Sequence, residues 1–573
     1  MSENTTAATS PGVPVENPTP FGWMTTADHK RTGRLFIVSS MLFLVLGVFL
    51  DLLVRLDLTS ATEFVSLGSD GFAQGFTFSR EALTLLFLIP AFLGMAIYMV
   101  PLQIGAPNLA FPRAATASFW VWEVSAIVLI GAYLGNGGPY GGWANGVDLH
   151  LLALSGLVVA LLIGSIAVAT TVMTMRSPGL YLDAAPPFAW SALVSASMLV
   201  VSLPVLLGQI AIIYIDHRYG RIFLSGNYGI WERIDWIHRT PQLFIYVVPV
   251  LGVVAEVVLA AAKRRVFEPI AMYFTLGLVG LFGFGAWANF SVTGEGADII
   301  DGLEGVVLVG LYGGAVLGTT GLLGLLGFAL VQNRKMPKVT TSLLAALGAG
   351  KLVLFGALFG LIGAATDWLE IAGRGNDGNP QLRMTTWVTG QQSVLIYGAG
   401  LLGLLAAVHW WAPKIWGRQL NELLGMLNFL VIGAGALLAF LGPALSGLLT
   451  EQPDFVYGEP NATAIYASWV DDSGAEGLNA IGVAGVVILL AGTALLLLNV
   501  MISIGMKKGA EADDDPWSAQ SPEWMLPSPP PIGEPDQLPT LISGTPLLDA
   551  ADAADAADAA DAADGADAEE ATV

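Results

Sequence analysis

Cysteine is absent from the 573-residue chain. That excludes disulfides, thiolate-held metals and iron–sulfur clusters. Charge is scarce as well: Asp, Glu, Lys and Arg make up 12% of the residues, about half the share of an ordinary soluble domain. Histidine is limited to five residues, His29, His150, His217, His238 and His409. Bases number 24, only eight of them lysine, against 46 acids, for a net charge of −22. No basic patch is present to neutralise phosphates, so nucleic acid is excluded as a partner. An acidic, lysine-poor surface stays hydrated in concentrated salt, which points to a halophile source. The polar N-terminal segment, residues 1–32, has no charged stretch leading into a short apolar core. A cleavable signal peptide is therefore not expected, and the first membrane helix must direct insertion itself.

What the chain has in plenty is apolar surface: 54% of residues are hydrophobic, and 68 are glycine. Glycine at that level suits helices packed closely in lipid. A span needs roughly 20 mostly apolar residues. Such runs fall at 34–54, 82–103, 119–136, 150–174, 188–214, 242–262, 268–290, 303–331, 340–363, 387–412, 421–449 and 478–505. The pattern predicts an all-α integral membrane domain of about twelve transmembrane helices over residues 33–506. With the N-terminus in the cytoplasm, fifteen bases fall on the inner side and eight on the outer, Lys351 lying within a helix. That excess obeys the positive-inside rule. It places the chain in the plasma membrane, against the lipid bilayer, with both termini cytoplasmic. Residues 507–545 read as a Pro-rich cytoplasmic segment favouring extended chain without a core. Residues 546–573, a near-repeat of Asp-Ala-Ala, read as a disordered acidic tail.

Several segments carry a family pattern. The run Val100-Pro101-Leu102-Gln103-Ile104-Gly105-Ala106-Pro107-Asn108, ending Phe111-Pro112-Arg113, is followed by Ser118-Phe119-Trp120. Asp28-His29-Lys30-Arg31, Met175-Arg176-Ser177-Pro178-Gly179 and Phe188-Ala189-Trp190 to Leu203-Pro204-Val205 fall in order around it. Asp515-Pro516-Trp517, Glu523-Trp524 and Pro529-Pro530-Pro531 close the series. Together they resemble subunit I of the haem-copper (cytochrome c or quinol) oxidases, over roughly residues 28–531. The resemblance implies twelve helices in three pseudo-symmetric arcs.

In that family two histidines hold a low-spin haem, one holds a high-spin haem and three hold copper. In register with those positions this chain differs. Ser79 stands at the first low-spin haem position, eleven residues before Pro90. Gly390-Gln391-Gln392 replaces the His-x-His that serves both haems. Thr240, Asn289 and Phe290 occupy the copper positions. Gln242 replaces the proton-carrying glutamate, Phe244 the active-site tyrosine, Asn108 an aspartate and Leu323 a lysine of the proton pathways. Leu448 and Leu449 fall where paired arginines hold haem propionates. Each change puts a neutral group where the family has an ionisable or metal-binding one. An emptied site in lipid should drift that way, because unpaired polar groups are costly there.

The remaining histidines look structural. His29 and His217 are expected in solvated loops, His150 as a cap or interfacial group, His238 as interfacial, and His409 in an aromatic belt beside Trp410 and Trp411. Glu123, Glu256 and Lys351 are read as the ionisable groups inside spans, hence candidate ion or proton residues. Glu123 is placed near the inner end of its helix. Met95, Met99 and Met173 match no ligand position and read as packing. Three functions stay open. The first is a redox-silent subunit I-like scaffold or assembly component of a terminal-oxidase-type complex, with no cofactor and with other membrane subunits as partners. The second is an active oxygen-reducing, proton-pumping oxidase subunit with haem and copper. The third is a proton or ion transporter reusing the fold.

Overall fold

The computed structural model describes residues 20–59, 68–220, 231–239, 242–284, 297–333, 336–368, 382–454, 474–532, 541, 543–554 and 556. The copper positions Thr240, Asn289 and Phe290 lie outside the described residues. Among the described residues, eleven helices are long and apolar enough to cross a membrane. They are α1 (His29–Asp57), α2 (Gly71–Ile104), α3 (Pro112–Leu134), α4 (Ala144–Thr174), α5 (Pro187–Tyr219), α6 (Trp236–Ala262), α8 (Val306–Gln332), α9 (Thr341–Thr366), α10 (Trp387–Trp416), α11 (Glu422–Leu449) and α12 (Glu476–Gly505). Between α6 and α8 runs α7, Pro269–Phe284, apolar but shorter in its described part. The helices fall on the twelve runs seen in the sequence, and no strand occurs among the described residues.

Local chemistry sets the helix ends. Asp28 caps α1, its carboxylate accepting from Lys30 N at 2.7 Å. Asn421 caps α11 through Leu424 N at 3.0 Å. Pro112 and Pro187 open α3 and α5, where a missing N–H costs nothing. Gly105 and Gly417 end α2 and α10 at φ 68° and 73°.

The apolar stretches of α2, α6 and α10 are wholly buried, while the other spans are 33–61% buried. A helix apolar on all sides belongs inside a bundle, so these three form its centre. Both α2 and α10 carry a π-helical turn, Ala82–Leu88 and Val394–Leu401. Such turns shift the facing of a helix and often mark functional positions. Here they begin three residues after Ser79 and two after Gln392.

The C-terminal segment differs from the extended strap expected of it. Trp524 is buried, and Trp517 Nε1 donates to Trp410 O at 2.9 Å. Gln520 Nε2 donates to Leu259 O at 2.9 Å, so the segment packs across the end of the bundle where α6 and α10 finish. Residues 546–554 of the acidic tail are helical, and Arg265 bridges Asp549 at 2.5 Å and Asp552 at 2.6 Å. Asp-Ala-Ala spacing puts successive carboxylates three residues apart, on one side of a helix. An isolated pair of this kind, exposed on both partners, adds little stability.

Candidate functional site

At the end of the bundle away from the C-terminal segment lies a cavity of about 60 Å³, walled by α1, α2, α10, α11 and α12. Ser79 and Gln392, 313 positions apart in the chain, both line it. The sequence register therefore brought two related positions to one place. Gly390 does not reach the cavity. A Cβ there would meet Ala444 Cβ at 3.0 Å, so this position packs against α11.

Charge around the cavity is organised in two groups. Arg55 donates to Asp51 Oδ2 at 2.9 Å, to Ser393 Oγ at 2.8 Å and to Ala439 O at 3.2 Å. Tyr397 donates its hydroxyl to the same Asp51 oxygen at 2.8 Å. On the other side, Arg80 lies 3.7 Å from Asp235 and 3.8 Å from Asp454, with its guanidinium 3.8 Å above the Phe76 ring. Asp235 also takes a hydrogen bond from Arg239. Burial pushes the Asp235 carboxyl up, but Arg239 and Arg80 outweigh it and hold the group below the usual carboxylate range. Both Nη atoms of Arg80, Nε2 of Gln392 and Oδ2 of Asp454 are buried without a hydrogen-bond partner in the protein. Polar atoms left so, around a space of this size, call for water: the cavity has room for about four molecules at roughly 10–15 Å³ each.

Three comparisons bear on this arrangement. A family model described as cytochrome c and quinol oxidase polypeptide I matches residues 31–493. The chain belongs to this family. Cytochrome c oxidase subunit 1 of Bacillus subtilis is 28% identical over 543 residues, 92% of this chain and 82% of that protein. The putative cytochrome c oxidase subunit 1-beta of Streptomyces avermitilis is 26% identical over 96% of both. A solved cryo-EM structure of a heme-copper terminal oxidase dimer overlays with a TM-score of 0.60 at 12% identity, covering 84% of each chain. At that identity the likeness is one of fold.

Membership of the family implies haem, and the cavity permits a test of whether haem fits. Iron needs an axial imidazole, thiolate, thioether or phenolate. Ser79 offers only a hydroxyl, already donated to Phe76 O at 2.8 Å. Gln392 offers a neutral amide, and the phenol in the wall, Tyr397, is committed to Asp51. Among the described residues, neither histidine nor methionine is part of the lining. The residues present at this position do not fit the group.

The five histidines are not solvated or interfacial spares, as their sequence neighbourhoods suggested. His29 is buried at the start of α1, its Nδ1 3.1 Å from Asn108 Oδ1. His150 is fully buried, with Nε2 3.1 Å from Glu81. His238 is buried with Nδ1 2.6 Å from Thr84 Oγ1, in the π turn of α2. His409 is buried rather than in a belt; Nδ1 donates to Leu405 O at 3.0 Å and Nε2 lies 3.4 Å from Asn499. His217 lies in the last turn of α5, half-buried, 2.8 Å from Asp148. Each has a contact on another element, which is invisible from its own segment.

The proposed ion or proton residues are not brought together. Lys351 is exposed on the outside of α9. Glu123 sits midway along α3, not near an end, and is half-buried with one carboxyl oxygen unpartnered. Glu256 is buried and bonded to Gln103 and Phe188 rather than reaching an interface. Leu448 and Leu449 are exposed at the end of α11. Phe244 and Gln242 are buried near α6's start, with Phe244 edge-on to Tyr312 at 6.3 Å. Sequence reading overlooked Asp51, Arg55, Arg80 and Asp454. Asp51 and Arg55 had a signal, since opposite charges four residues apart face each other on a helix. Asp454, outside the spans, had none.

Proposed function

We propose that this oxidase subunit I relative is redox-silent. It acts as a scaffold or assembly component among the other membrane subunits of a terminal-oxidase-type complex in the plasma membrane, both termini cytoplasmic. The observation that carries the reading is the pairing of Ser79 with Gln392 in one cavity, while every histidine of the chain other than half-buried His217 is buried against a partner of its own. Among the described residues, none that lines the cavity offers iron a free donor of the usual kind. The family pattern survives in loops and in the C-terminal segment while the ligand positions have changed, and this supports a retained scaffold role.

The test is an absorption spectrum with metal analysis on the purified full-length chain. The expected result is no Soret band and no stoichiometric copper or iron. One haem per chain, or more, overturns the reading. The names of the relatives favour a second one, an active cytochrome c or quinol oxidase subunit, which requires ligands at other positions of this chain or from another chain. Oxygen uptake by the intact complex that vanishes when this chain alone is deleted, with haem bound to it, supports that alternative.

A further inference from the structure

At the end of the bundle opposite the cavity, two carboxyl groups are buried together. Glu256 belongs to α6 and Glu523 to the C-terminal segment; they are 6% and 0% exposed. Gln103, in the last turn of α2, places its Nε2 3.1 Å from Glu256 Oε1 and 3.1 Å from Glu523 Oε1. The two carboxyl oxygens are thus no further apart than twice that distance. Phe188 N donates to Glu256 at 3.2 Å and Trp411 Nε1 to Glu523 at 3.3 Å. The Ser521 hydroxyl lies near both carboxyls and favours their charged forms. Oε2 of Glu523 and Oε1 of Gln103 are left buried with no partner. A carboxyl proton and an amide oxygen are the two groups that would satisfy each other here, because the Gln103 amide presents either face by turning over.

Two like charges this close, out of water, do not both persist. We propose that Glu256 and Glu523 hold one proton between them through Gln103, and that this proton latches the C-terminal segment onto the bundle. Loss of the proton releases the segment. The inference is independent of whether the chain binds haem.

The surrounding charges set the balance. Lys414 of α10 lies near Glu523, with Nζ donating to Asp514 O at 2.9 Å and 5.0 Å from the Trp524 ring. Asp514 and Asp515 of the segment itself face Lys414 and offset its charge. Arg34 of α1 approaches through Tyr98, whose hydroxyl donates to Lys414 O at 2.8 Å. Tyr273 of α7 and Asp183 ahead of α5 lie on the Glu256 side. Arg264, following α6, receives Gln520 Nε2 on its carbonyl at 3.3 Å. Burial dominates over the hydrogen bonds to the group and holds Glu523 above the usual carboxylate range. An acid whose value is raised in the docked state favours docking while protonated. That contribution is complete below the ordinary carboxylate pKa and is lost as pH rises through the raised value.

Hydrogen exchange on the full-length protein in lipid discs tests the latch, with rates corrected for the intrinsic effect of pH. Amides of residues 519–526 are expected to be protected at mildly acidic pH and to exchange at least tenfold faster on the alkaline side. Interior amides of α2 should remain protected throughout. Glu523→Gln and Glu256→Gln, each neutral and of the same shape, should keep the segment protected across the whole range. Three results overturn the proposal: no pH dependence in the unaltered chain, unchanged pH dependence in both variants, or a segment released at every pH in the variants while α2 stays protected.

Discussion

Asp235→Asn is expected to destabilise the folded bundle by about 3–5 kcal/mol, the usual consequence of removing one partner from a buried ion pair. Asp235 is 2% exposed and lies between Arg239 and Arg80. Neither Nη atom of Arg80 makes a hydrogen bond among the described residues, where Asp235, Asp454 and the Phe76 ring balance its charge. An amide at 235 keeps the shape but leaves a guanidinium buried with half its compensation. The same pair gives a pH signature. Arg239 and Arg80 together outweigh burial and hold the Asp235 carboxyl below its ordinary range. Its contribution is therefore present above the ordinary carboxylate pKa and lost as pH falls through the lowered one. Unfolding titrations in SDS at neutral and acidic pH read both effects. The unaltered chain should lose more stability than the variant on acidification. A loss below about 1 kcal/mol at neutral pH would show that Arg80 is compensated by water rather than by Asp235.

The fold was legible because span length and composition are imposed by lipid, one segment at a time. Every apolar run is helical over its described residues, and Pro, Asn and Gly set several of the ends. The haem-position reading was legible in part: Ser79 and Gln392 meet because register within α2 and α10 carries over when two helices face each other. Polar burial was not legible. His150 looks interfacial beside Asp148, yet its partner is Glu81 on α2, and Asp148 instead holds His217. His409 has the neighbours of an aromatic belt, but Asn499 arrives from α12 to enclose it. The C-terminal segment is the clearest case. Its prolines indicate extended chain, which is correct as far as it goes. The slot that accepts Glu523 and Trp524 is assembled from α2, α6 and α10, and no one of these advertises it. Lys351, singled out by its place in an apolar run, proves to face outward, because a run of glycines and small residues gives no direction to a helix face.

The close approach of α11 and α12 supplies the second large effect. A Cβ on Gly485 would fall 2.1 Å from Ala439 N, and one on Gly442 would fall 2.4 Å from Gly482 N. These obstacles are backbone atoms, which cannot rotate aside. Small residues at such crossings let helices pack at backbone distance in lipid, where dispersion and not the hydrophobic effect holds them together. Gly485→Leu must therefore push the helices apart along their length. The expected loss is about 3 kcal/mol, the top of the usual overpacking range. The damage should also reach the cavity, because Gly482 lines it and Asn479, one turn before, donates to Leu58 O of the residue after α1 at 3.0 Å. Gly433→Leu, on the same helix as Gly442, is the matched control: no atom lies within 4 Å of its added Cβ, and the change should stay within about 0.5 kcal/mol. SDS midpoints of the two variants, read alongside the yield of folded protein after solubilisation, separate the positions. Equal midpoints for Gly485→Leu and Gly433→Leu would mean that α11 and α12 do not meet at backbone distance, and that the wall of the cavity they share is not fixed by glycine.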